Sequence, residues 1–153
     1  MSFENFRTAV RGGVILPGDP DFDRVAQPWN TAVAQSVAAV VEVADALDVA
    51  TVLEYARQTG RAVVTQPTGH GATGDIDGAI LVRTTRFNTI DIDAAQRVAR
   101  VGSGVQWGQV QTAAAAHGLT GLAGSNPVVG VTGYTLGGGF GWFARKYGWA
   151  AGG

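Results

Sequence analysis

The sequence predicts an α+β fold, because strand-like and helix-like patterns are both present and do not alternate regularly. Runs rich in β-branched residues at positions 38–43, 62–65 and 80–83 indicate short strands. Segments 45–60 and 106–117 each end at or before a glycine, a common stop signal of a helix, and the first repeats apolar residues at helical spacing. Helices and strands of this length can bury one core in a chain of 153 residues.

The N-terminal part predicts only short elements. A helix is expected at 3–10 and a strand at 14–16, followed by a turn that contains proline and glycine. Either Asp19 or Asp21 can cap a further short helix, which Pro28 ends. None of these elements contains an obvious chemical site.

Two later segments of the sequence predict a capped helix and a hairpin. The helix at 45–60 begins at Asp45 or Asp48 and has Gly60 as its C-cap. Strands at 88–93 and 97–101 flank a short polar turn, so they form an antiparallel hairpin. This hairpin breaks the parallel repeat, and we expect a subdomain boundary just before it, at 84–88.

Composition excludes several classes of function. A net charge of −1 and a pI near 6.0 offer no field that would attract nucleic acid or an anionic bilayer. There is no cysteine and there are only two histidines, so we expect no metal site. The N-terminus has scattered charges and no apolar signal region, so we expect no membrane segment and a cytoplasmic protein.

Glycine is the unusual residue. There are 23 glycines in 153 residues, roughly twice the ordinary share of about 7%. They concentrate at 69–78, 102–108 and 118–141. Because glycine lets a backbone approach a ligand closely or adopt positive φ, the three clusters indicate a large, extended ligand.

The first chemically informative segment is PTGHGATG, residues 67–74, directly after a predicted strand. Its small residues leave consecutive backbone N–H groups free to converge on an anion such as a phosphate. His70 lies inside this loop. From the loop alone, His70 is either a turn residue hydrogen-bonded to a neighbour or part of a binding site.

The second informative segment, residues 124–141, interleaves glycines with large apolar residues. Each glycine destabilises a regular helix or strand by roughly 0.5–1 kcal/mol, so we expect irregular backbone here. A glycine-rich surface loop is one interpretation. The apolar side chains would be costly to expose, which favours a buried loop that faces a ligand.

Together these segments resemble a known family. The order of strand, PTGHGATG, hairpin, helix and GSNPVVGVTGYTLGGGFGW is similar to the FAD-binding, PCMH-type domain of the vanillyl-alcohol oxidase superfamily. The nearest branch is that of the berberine-bridge and hydroxynicotine-oxidase enzymes. The resemblance implies two small α/β subdomains, an N-terminal extension at 1–36 and an FAD-binding domain at 37–153. It also implies that this domain is truncated at the C-terminus and that the substrate domain is absent.

The resemblance assigns a cofactor and its contacts. It implies FAD as the cofactor and a small molecule as the substrate, with His70 bonded to the 8α-methyl group of the flavin. No catalytic residue is assigned, and the oligomeric state is not predicted. The implied FAD contacts are Pro67, Thr68, Gly69, His70, Gly71, Ala72, Gly74, Gly124, Asn126, Pro127, Val129, Gly130, Gly133, Tyr134, Gly137, Gly138, Gly139 and Gly141.

Four positions differ from the family pattern or refine it. Thr68 and Gly71 give TGHG where the usual motif is GGHS. Asn126 stands where bicovalent members have a flavin-linking cysteine, so a cysteinyl bond is impossible. Val129 corresponds to a residue that controls oxygen access to the flavin, and its short side chain favours an oxidase. Alternatively, Val129 only packs against Val131 or Leu136.

Two other functions remain as alternatives. Runs such as Gly102–Gly104 superficially resemble a Rossmann nucleotide site, but they lack the GxGxxG spacing inside a βαβ unit. The chain is alternatively a catalytically inactive, truncated remnant that binds FAD poorly. Its last segment is rich in aromatics, with no later element in this sequence to bury them.

Overall fold

The computed structural model describes residues 3–152. The chain divides into two compact units, the first ending at Arg86 and the second beginning at Phe87. This division confirms the boundary expected at 84–88. The mixture of helices and strands confirms the α+β class, and each unit has its own sheet.

The first unit is a four-stranded sheet with three helices. Strand order is β1-β2-β4-β3, in which β2, β4 and β3 are parallel and β1 is antiparallel to β2. The sheet positions the loop that follows β3, because β3 ends directly before it. The elements are α1 (Phe3–Ala9), β1 (Gly13–Ile15), α2 (Phe22–Ala26), β2 (Ala39–Glu42), α3 (Ala46–Thr59), β3 (Val63–Thr65) and β4 (Ile80–Arg83).

Helix α3 begins and ends as its sequence predicts. The side chain of Asp45 accepts hydrogen bonds from the N–H groups of Leu47 and Asp48 at 2.9 and 3.1 Å. Gly60 takes φ +65°, the left-handed conformation of a glycine C-cap. Asp45 is therefore the cap, and Asp48 has a different role inside the first turn.

The predicted acidic cap of α2 is wrong. Asp21 precedes the helix, but its backbone is already in the right-handed helical region, at φ −92° and ψ −6°, and its side chain makes no capping bond. Capping requires an extended residue whose side chain turns back over the first N–H groups. The Asp21 carboxylate instead accepts hydrogen bonds from Arg24.

Alternation along β2 divides the core of the first unit between the two faces of the sheet. One face buries Val40 and Leu81 with residues of α2 and the segment at 76–79. Elsewhere in the unit, the rings of Phe6 in α1 and Tyr55 in α3 stack at a centroid distance of 4.1 Å. The strands predicted at 38–43 and 80–83 are thus confirmed; three of the four residues of β2 and all four of β4 are buried, whereas β3 is only partly buried.

The second unit is a hairpin with short helices. β5 pairs antiparallel with β6, as the polar turn predicts. Helix α4 ends before the predicted 117, and Gln106, where the helix was predicted to begin, is its N-cap in a capping box with Gln109. The elements are β5 (Ile90–Asp93), β6 (Val98–Val101), α4 (Trp107–Ala115), α5 (Val131–Leu136), α6 (Ala144–Tyr147) and a 3-10 turn (Ala150–Gly152).

The expectation of irregular, buried backbone at 124–141 is only partly correct. Helix α5 forms within it despite Gly133, because Val131 and Tyr134 pack against the buried cluster of Val105, Trp107 and Val110. Other large apolar side chains of the region and beyond are exposed. These are Val128, Leu136, Phe140, Trp142, Phe143, Tyr147 and Trp149.

Over residues 3–152, the longest helix is α3 with 14 residues, and no helix is long and apolar enough to cross a bilayer. Within the same residues, no group of three or more histidine or acidic side chains is arranged to hold a metal ion.

Candidate cofactor-binding site

The loop after β3 is held by a segment from the N-terminal part of the chain. The N–H of Trp29 donates to the Thr68 carbonyl at 3.0 Å, and the N–H of Asn30 donates to the Gly69 carbonyl at 3.4 Å. Gly69 has φ +83°, and a side chain there would meet Pro28 at 2.8 Å. Only glycine fits this position, which the sequence predicted as part of the site.

The same loop presents unpaired backbone donors. Among the described residues, the N–H groups of Gly69, His70 and Gly71 have no hydrogen-bond acceptor in the protein. The turn is closed behind them by the N–H of Ala72, which donates to the Gly69 carbonyl at 3.3 Å. Consecutive free N–H groups around a positive-φ glycine can form an anion-binding nest, and the role predicted from the small residues stays a prediction.

The imidazole of His70 is held by two side chains. Thr68 Oγ1 lies 2.8 Å from His70 Nδ1, and the Trp29 indole stacks on the imidazole at a centroid distance of 4.1 Å and an angle of 14°. His70 Nε2 is buried and has no hydrogen-bond partner in the described chain. The bond to a neighbour that one interpretation predicted is thus confirmed, and the role of His70 in a binding site stays a prediction.

Burial lowers the pKa of His70 below its usual value of 6.5. Desolvation disfavours the imidazolium, and among the described residues no carboxylate pairs with the ring to oppose the effect. His70 is therefore neutral at pH 7. A neutral imidazole has a lone pair that can act as a nucleophile, which an imidazolium lacks.

Arg83 organises the start of the loop, and the sequence analysis missed it. This arginine is buried at the end of β4, and its guanidinium donates to the carbonyls of Gln66, Val25, Ala26 and Gln27 at 2.8–3.4 Å. The loop is thereby tied to the C-terminal end of α2. An arginine that closes the otherwise apolar strand ILVR was the available signal.

Two glutamines hold the next part of the loop. The side-chain amides of Gln35 and Gln66 form a reciprocal pair at 3.0 and 3.1 Å. Gln35 also donates to the Thr73 carbonyl at 2.8 Å, next to Gly74. Nothing in their spacing along the sequence indicates that they meet, because the pairing depends on how segments distant in sequence pack.

In the second unit, the candidate residues at 126–130 form a turn. Asn126 Oδ1 accepts from the N–H of Val128 at 3.1 Å, so this side chain closes the turn. The Pro127 carbonyl accepts from Gly108, and that of Val129 accepts from Trp107. Gly130 forms an isolated bridge with Gln106. The turn thus joins the N-terminus of α4.

Several glycines of the second unit make room for the Tyr134 ring. A side chain at Gly124, Gly139 or Gly141 would meet Tyr134 atoms at 2.6–3.1 Å. Tyr134 also packs edge-on against Trp107, at a centroid distance of 5.5 Å. At these positions the glycines contact the protein itself, so their predicted contact with FAD stays a prediction.

The other predicted glycines have mixed surroundings. A side chain at Gly137 would lie 3.0 Å from the carbonyl of Gly133, one turn earlier in α5. Gly138 has φ +105° and faces the Trp149 ring at 2.9 Å. The Gly133 α-carbon faces open space, so it is the one of these three that leaves room beside the helix.

A substitution at Tyr134 tests whether its hydroxyl serves only packing or contacts FAD. Its hydroxyl is buried without a partner among the described residues, and burial raises its pKa above 10.0. If the hydroxyl serves packing only, Tyr134→Phe removes an unsatisfied group, and we expect stability to be unchanged or up to about 1 kcal/mol higher. If the hydroxyl binds FAD, the same variant weakens FAD binding. Urea unfolding and FAD titration of the variant separate the two outcomes, with Tyr147→Phe, at an exposed ring, as the control.

An α+β scaffold in which a loop with unpaired N–H groups holds a partly buried histidine is suited to a phosphate-containing cofactor. The family model described as FAD binding domain matches residues 37–152. The chain belongs to this FAD-binding family of oxidoreductases.

Individual relatives agree with this assignment. (R)-6-hydroxynicotine oxidase of Paenarthrobacter nicotinovorans is 35% identical over 145 residues, which cover 94% of this chain and 32% of that protein. The crystal structure of 6-hydroxy-D-nicotine oxidase from Arthrobacter nicotinovorans matches with a TM-score of 0.82 at 35% identity, over 93% of this chain and 32% of the other. The wild-type BBE-like 1 structure of Physcomitrella patens matches with a TM-score of 0.90 at 25% identity, over 99% and 34%. The chain thus spans about a third of the length of these relatives.

Proposed function

We propose that this chain is the FAD-binding part of an oxidase that transfers a hydride from a small organic substrate to FAD held covalently by His70. The observation that carries the proposal is the His70 loop. Its unpaired N–H groups suit the pyrophosphate of FAD, and its neutral imidazole has one nitrogen without a partner. The family match to an FAD-binding domain supports the same cofactor.

Different residues of the loop would bind the phosphates and orient the imidazole. Gly69, His70 and Gly71 would donate their N–H groups to phosphate oxygens, while Thr68 and Trp29 hold the imidazole in one orientation. When bound, FAD would supply the hydride acceptor, which no side chain provides. The protein's part is to position the cofactor and to exclude water.

Replacing His70 tests the function. In protein expressed with FAD, we expect His70→Ala to lose essentially all flavin that survives acid precipitation, because the proposal attaches the flavin through His70 alone. His117→Ala is the matched control, since His117 is the second histidine of the chain and is exposed. Absorbance of the washed precipitate near the flavin bands is the measurement. Equal acid-stable flavin in both variants would exclude His70 as the anchor.

An inactive FAD-binding remnant is the competing interpretation. The wild-type protein loaded with FAD separates the two functions when it is mixed anaerobically with candidate amines, alcohols and sugars. Bleaching of the flavin absorbance by any of them supports the oxidoreductase. Flavin that is bound poorly and is reduced only by light or dithionite supports the remnant.

Val129 tests whether the activity is that of an oxidase. Its side chain is partly buried against the cluster that contains Val131, so the packing interpretation has structural support. If Val129 also borders the flavin, Val129→Ile fills the space for oxygen, and reoxidation of the photoreduced flavin in air should slow by about tenfold or more. Val131→Ile, in the same cluster, is the control. Fast and equal reoxidation in all three proteins would contradict oxygen control by Val129.

A further inference from the structure

We propose that the side chains of Gln35 and Gln66 are a positioning pair, which fixes the His70 loop (residues 66–74) so that its free N–H groups face one anion. The pair thereby sets the affinity of the loop for the diphosphate group of the cofactor. This inference rests on the proposed function, because it takes the loop as the diphosphate-binding part of the chain. It goes beyond that function, because neither glutamine needs to touch the cofactor in order to act.

One segment of the chain, residues 27–35, lies against the loop and is named the strap. Its first half donates two main-chain N–H groups, at 3.0 and 3.4 Å, to the carbonyls of Thr68 and Gly69. Its far end reaches the loop through a side chain, that of Gln35. Within the described chain, no main-chain hydrogen bond joins the strap to residues 70–74. The second half of the loop is therefore joined to the strap by the Gln35 amide.

Both protons of the Gln35 amide are used. Its NH₂ group donates to Gln66 Oε1 at 3.0 Å and to the Thr73 carbonyl at 2.8 Å, while its Oε1 accepts from Gln66 Nε2 at 3.1 Å. Because a carbonyl can only accept, the contact with Thr73 determines which end of the Gln35 amide is NH₂. Residues 66 and 73 are at opposite ends of the loop, so this one side chain joins its two ends.

The second amide of the pair lies against the glycine that begins the run of free N–H groups. Gln66 is only 6% exposed. A side chain at Gly69 would lie 3.0 Å from Gln66 Nε2 and 2.8 Å from Pro28. The α-carbon of Gly69 is thus enclosed between the Gln66 amide and the strap, at a φ of +83°. A displacement of the amide would give Gly69 room to leave this conformation.

Loss of either amide should release the loop. Without Gln35, the Gln66 amide would have no hydrogen-bond partner among the described residues. A buried amide without a partner is unfavourable, so Gln66 would turn toward water and leave Gly69. Residues 66–74 include three glycines, and glycine has more backbone freedom than any other residue. The released loop would therefore sample many conformations.

A fixed loop binds an anion more tightly because the anion contacts several N–H groups at once. The N–H groups of Gly69, His70 and Gly71 have no acceptor in the described chain, and they can face one anion only in a restricted set of conformations. A mobile loop must be ordered on binding, and the apparent dissociation constant rises as the competent fraction of conformations falls. If the variants lower that fraction to about a tenth, the dissociation constant rises about tenfold.

The first experiment measures the order of the loop in the chain without FAD. ¹⁵N relaxation gives order parameters for the N–H groups of residues 69–73. We expect about 0.85 in the wild type and below about 0.6 in Gln35→Met, which keeps the length of the side chain and removes its amide. Gln27→Met is the matched control, since Gln27 belongs to the strap and its exposed side chain makes no hydrogen bond to the described residues. Equal order in all three proteins would overturn the inference.

The second experiment measures affinity by calorimetric titration with inorganic pyrophosphate and, separately, with FAD. We expect Gln35→Met and Gln66→Met each to raise both dissociation constants about tenfold. The double variant should raise them little further, because either single loss already breaks the pair. Gln27→Met should bind both ligands as the wild type does. Hydrogen exchange of the β2 and β4 amides should stay at the wild-type level in every variant, which separates positioning from general destabilisation.

Four results would contradict this expectation. Unchanged affinities, or single effects that multiply to about a hundredfold in the double variant, would overturn the pair and leave the proposed function standing. Weaker FAD binding with unchanged pyrophosphate binding would show that the glutamines do not act through the loop's N–H groups. Lost protection in β2 and β4 would make their role merely structural. Failure of the wild type to bind either ligand would refute the proposed function and the inference with it.

Discussion

Replacing Arg83 by methionine is expected to destabilise the first unit by about 3 kcal/mol, because several buried carbonyls lose their only charged donor. The guanidinium donates to carbonyls of Val25, Gln27 and Gln66 at 2.8–3.0 Å and has no ion-pair partner in the described chain. Burial lowers its pKa, and the charge of Glu42 opposes that effect. Carbonyls at the C-terminal end of α2 stabilise the cation, as the helix dipole favours.

The effect should extend to the cofactor loop. Gln66 directly precedes Pro67, so loss of its bond to Arg83 frees the base of the loop, and acid-stable flavin should fall together with stability. Arg83→Lys should recover part of the loss only, since an ammonium cannot reproduce a planar fork with several acceptors. Arg86→Met, at an exposed position of the same segment, is the control.

Hydrogen exchange of the β2 and β4 amides measures this change within the first unit alone. Protection should decrease in Arg83→Met and stay at the wild-type level in Arg86→Met. Equal protection in both variants would show that the carbonyls find other donors and that Arg83 does not hold the loop.

Asp48→Asn is expected to lower the free energy of unfolding by about 3 kcal/mol, because the Asp48 carboxylate accepts hydrogen bonds from three backbone N–H groups. Asp48 is 1% exposed. Its oxygens accept from the N–H groups of Arg11, Gly12 and Ala44 at 2.8, 2.9 and 2.8 Å. An asparagine would direct its own NH₂ group at one or more of these donors. The connection between α1 and β1 would then separate from the start of α3.

This contribution should depend on pH. Burial alone raises the pKa of Asp48, but the bonds from Ala44, Arg11 and Gly12 and the charge of Arg11 together lower it below 3.8. The stability that Asp48 supplies is therefore complete above its unfolded pKa, near 4, and is lost as the pH falls through the lower folded value.

Urea unfolding between pH 2.5 and 7, with wild type, Asp48→Asn and the exposed control Asp77→Asn, tests the sign. The free-energy difference between wild type and Asp48→Asn should be largest near pH 7 and should shrink at the acid end. Asp77→Asn should stay within about 0.5 kcal/mol of wild type. A difference that does not vary with pH would show that the charge of Asp48 is not what stabilises the fold.

Local sequence signals predicted elements well where the residues that form the signal also form the stabilising hydrogen bond or turn. Asp45 and Gly60 cap α3 by bonds and backbone angles within a few residues. The turn between β5 and β6 is similarly local. Asp21 failed as a cap because a side chain's partner depends on the backbone angles of that residue, and composition does not specify those angles.

The region 124–141 shows how packing overrides propensity. Glycine content predicted irregular backbone, but α5 formed because contacts of Val131 and Tyr134 offset the cost of Gly133. Intrinsic helix propensity differs by less than about 1 kcal/mol per residue, so a few buried contacts decide the outcome. The sequence could not show which apolar residues would find such contacts, and Leu136 and Phe140 did not.

The sequence by itself determined the family and predicted the place of the cofactor loop, because PTGHGATG and the later glycine-rich segment express backbone requirements that can be inferred residue by residue. Only the tertiary structure decided the surroundings of His70. Trp29 stacks on its ring, Thr68 holds Nδ1, and Arg83 ties the loop to α2. Trp29 and Arg83 reach the loop from segments distant in sequence. A hydrophobic pattern specifies which face of an element is buried, but the choice of neighbour depends on how the whole unit packs.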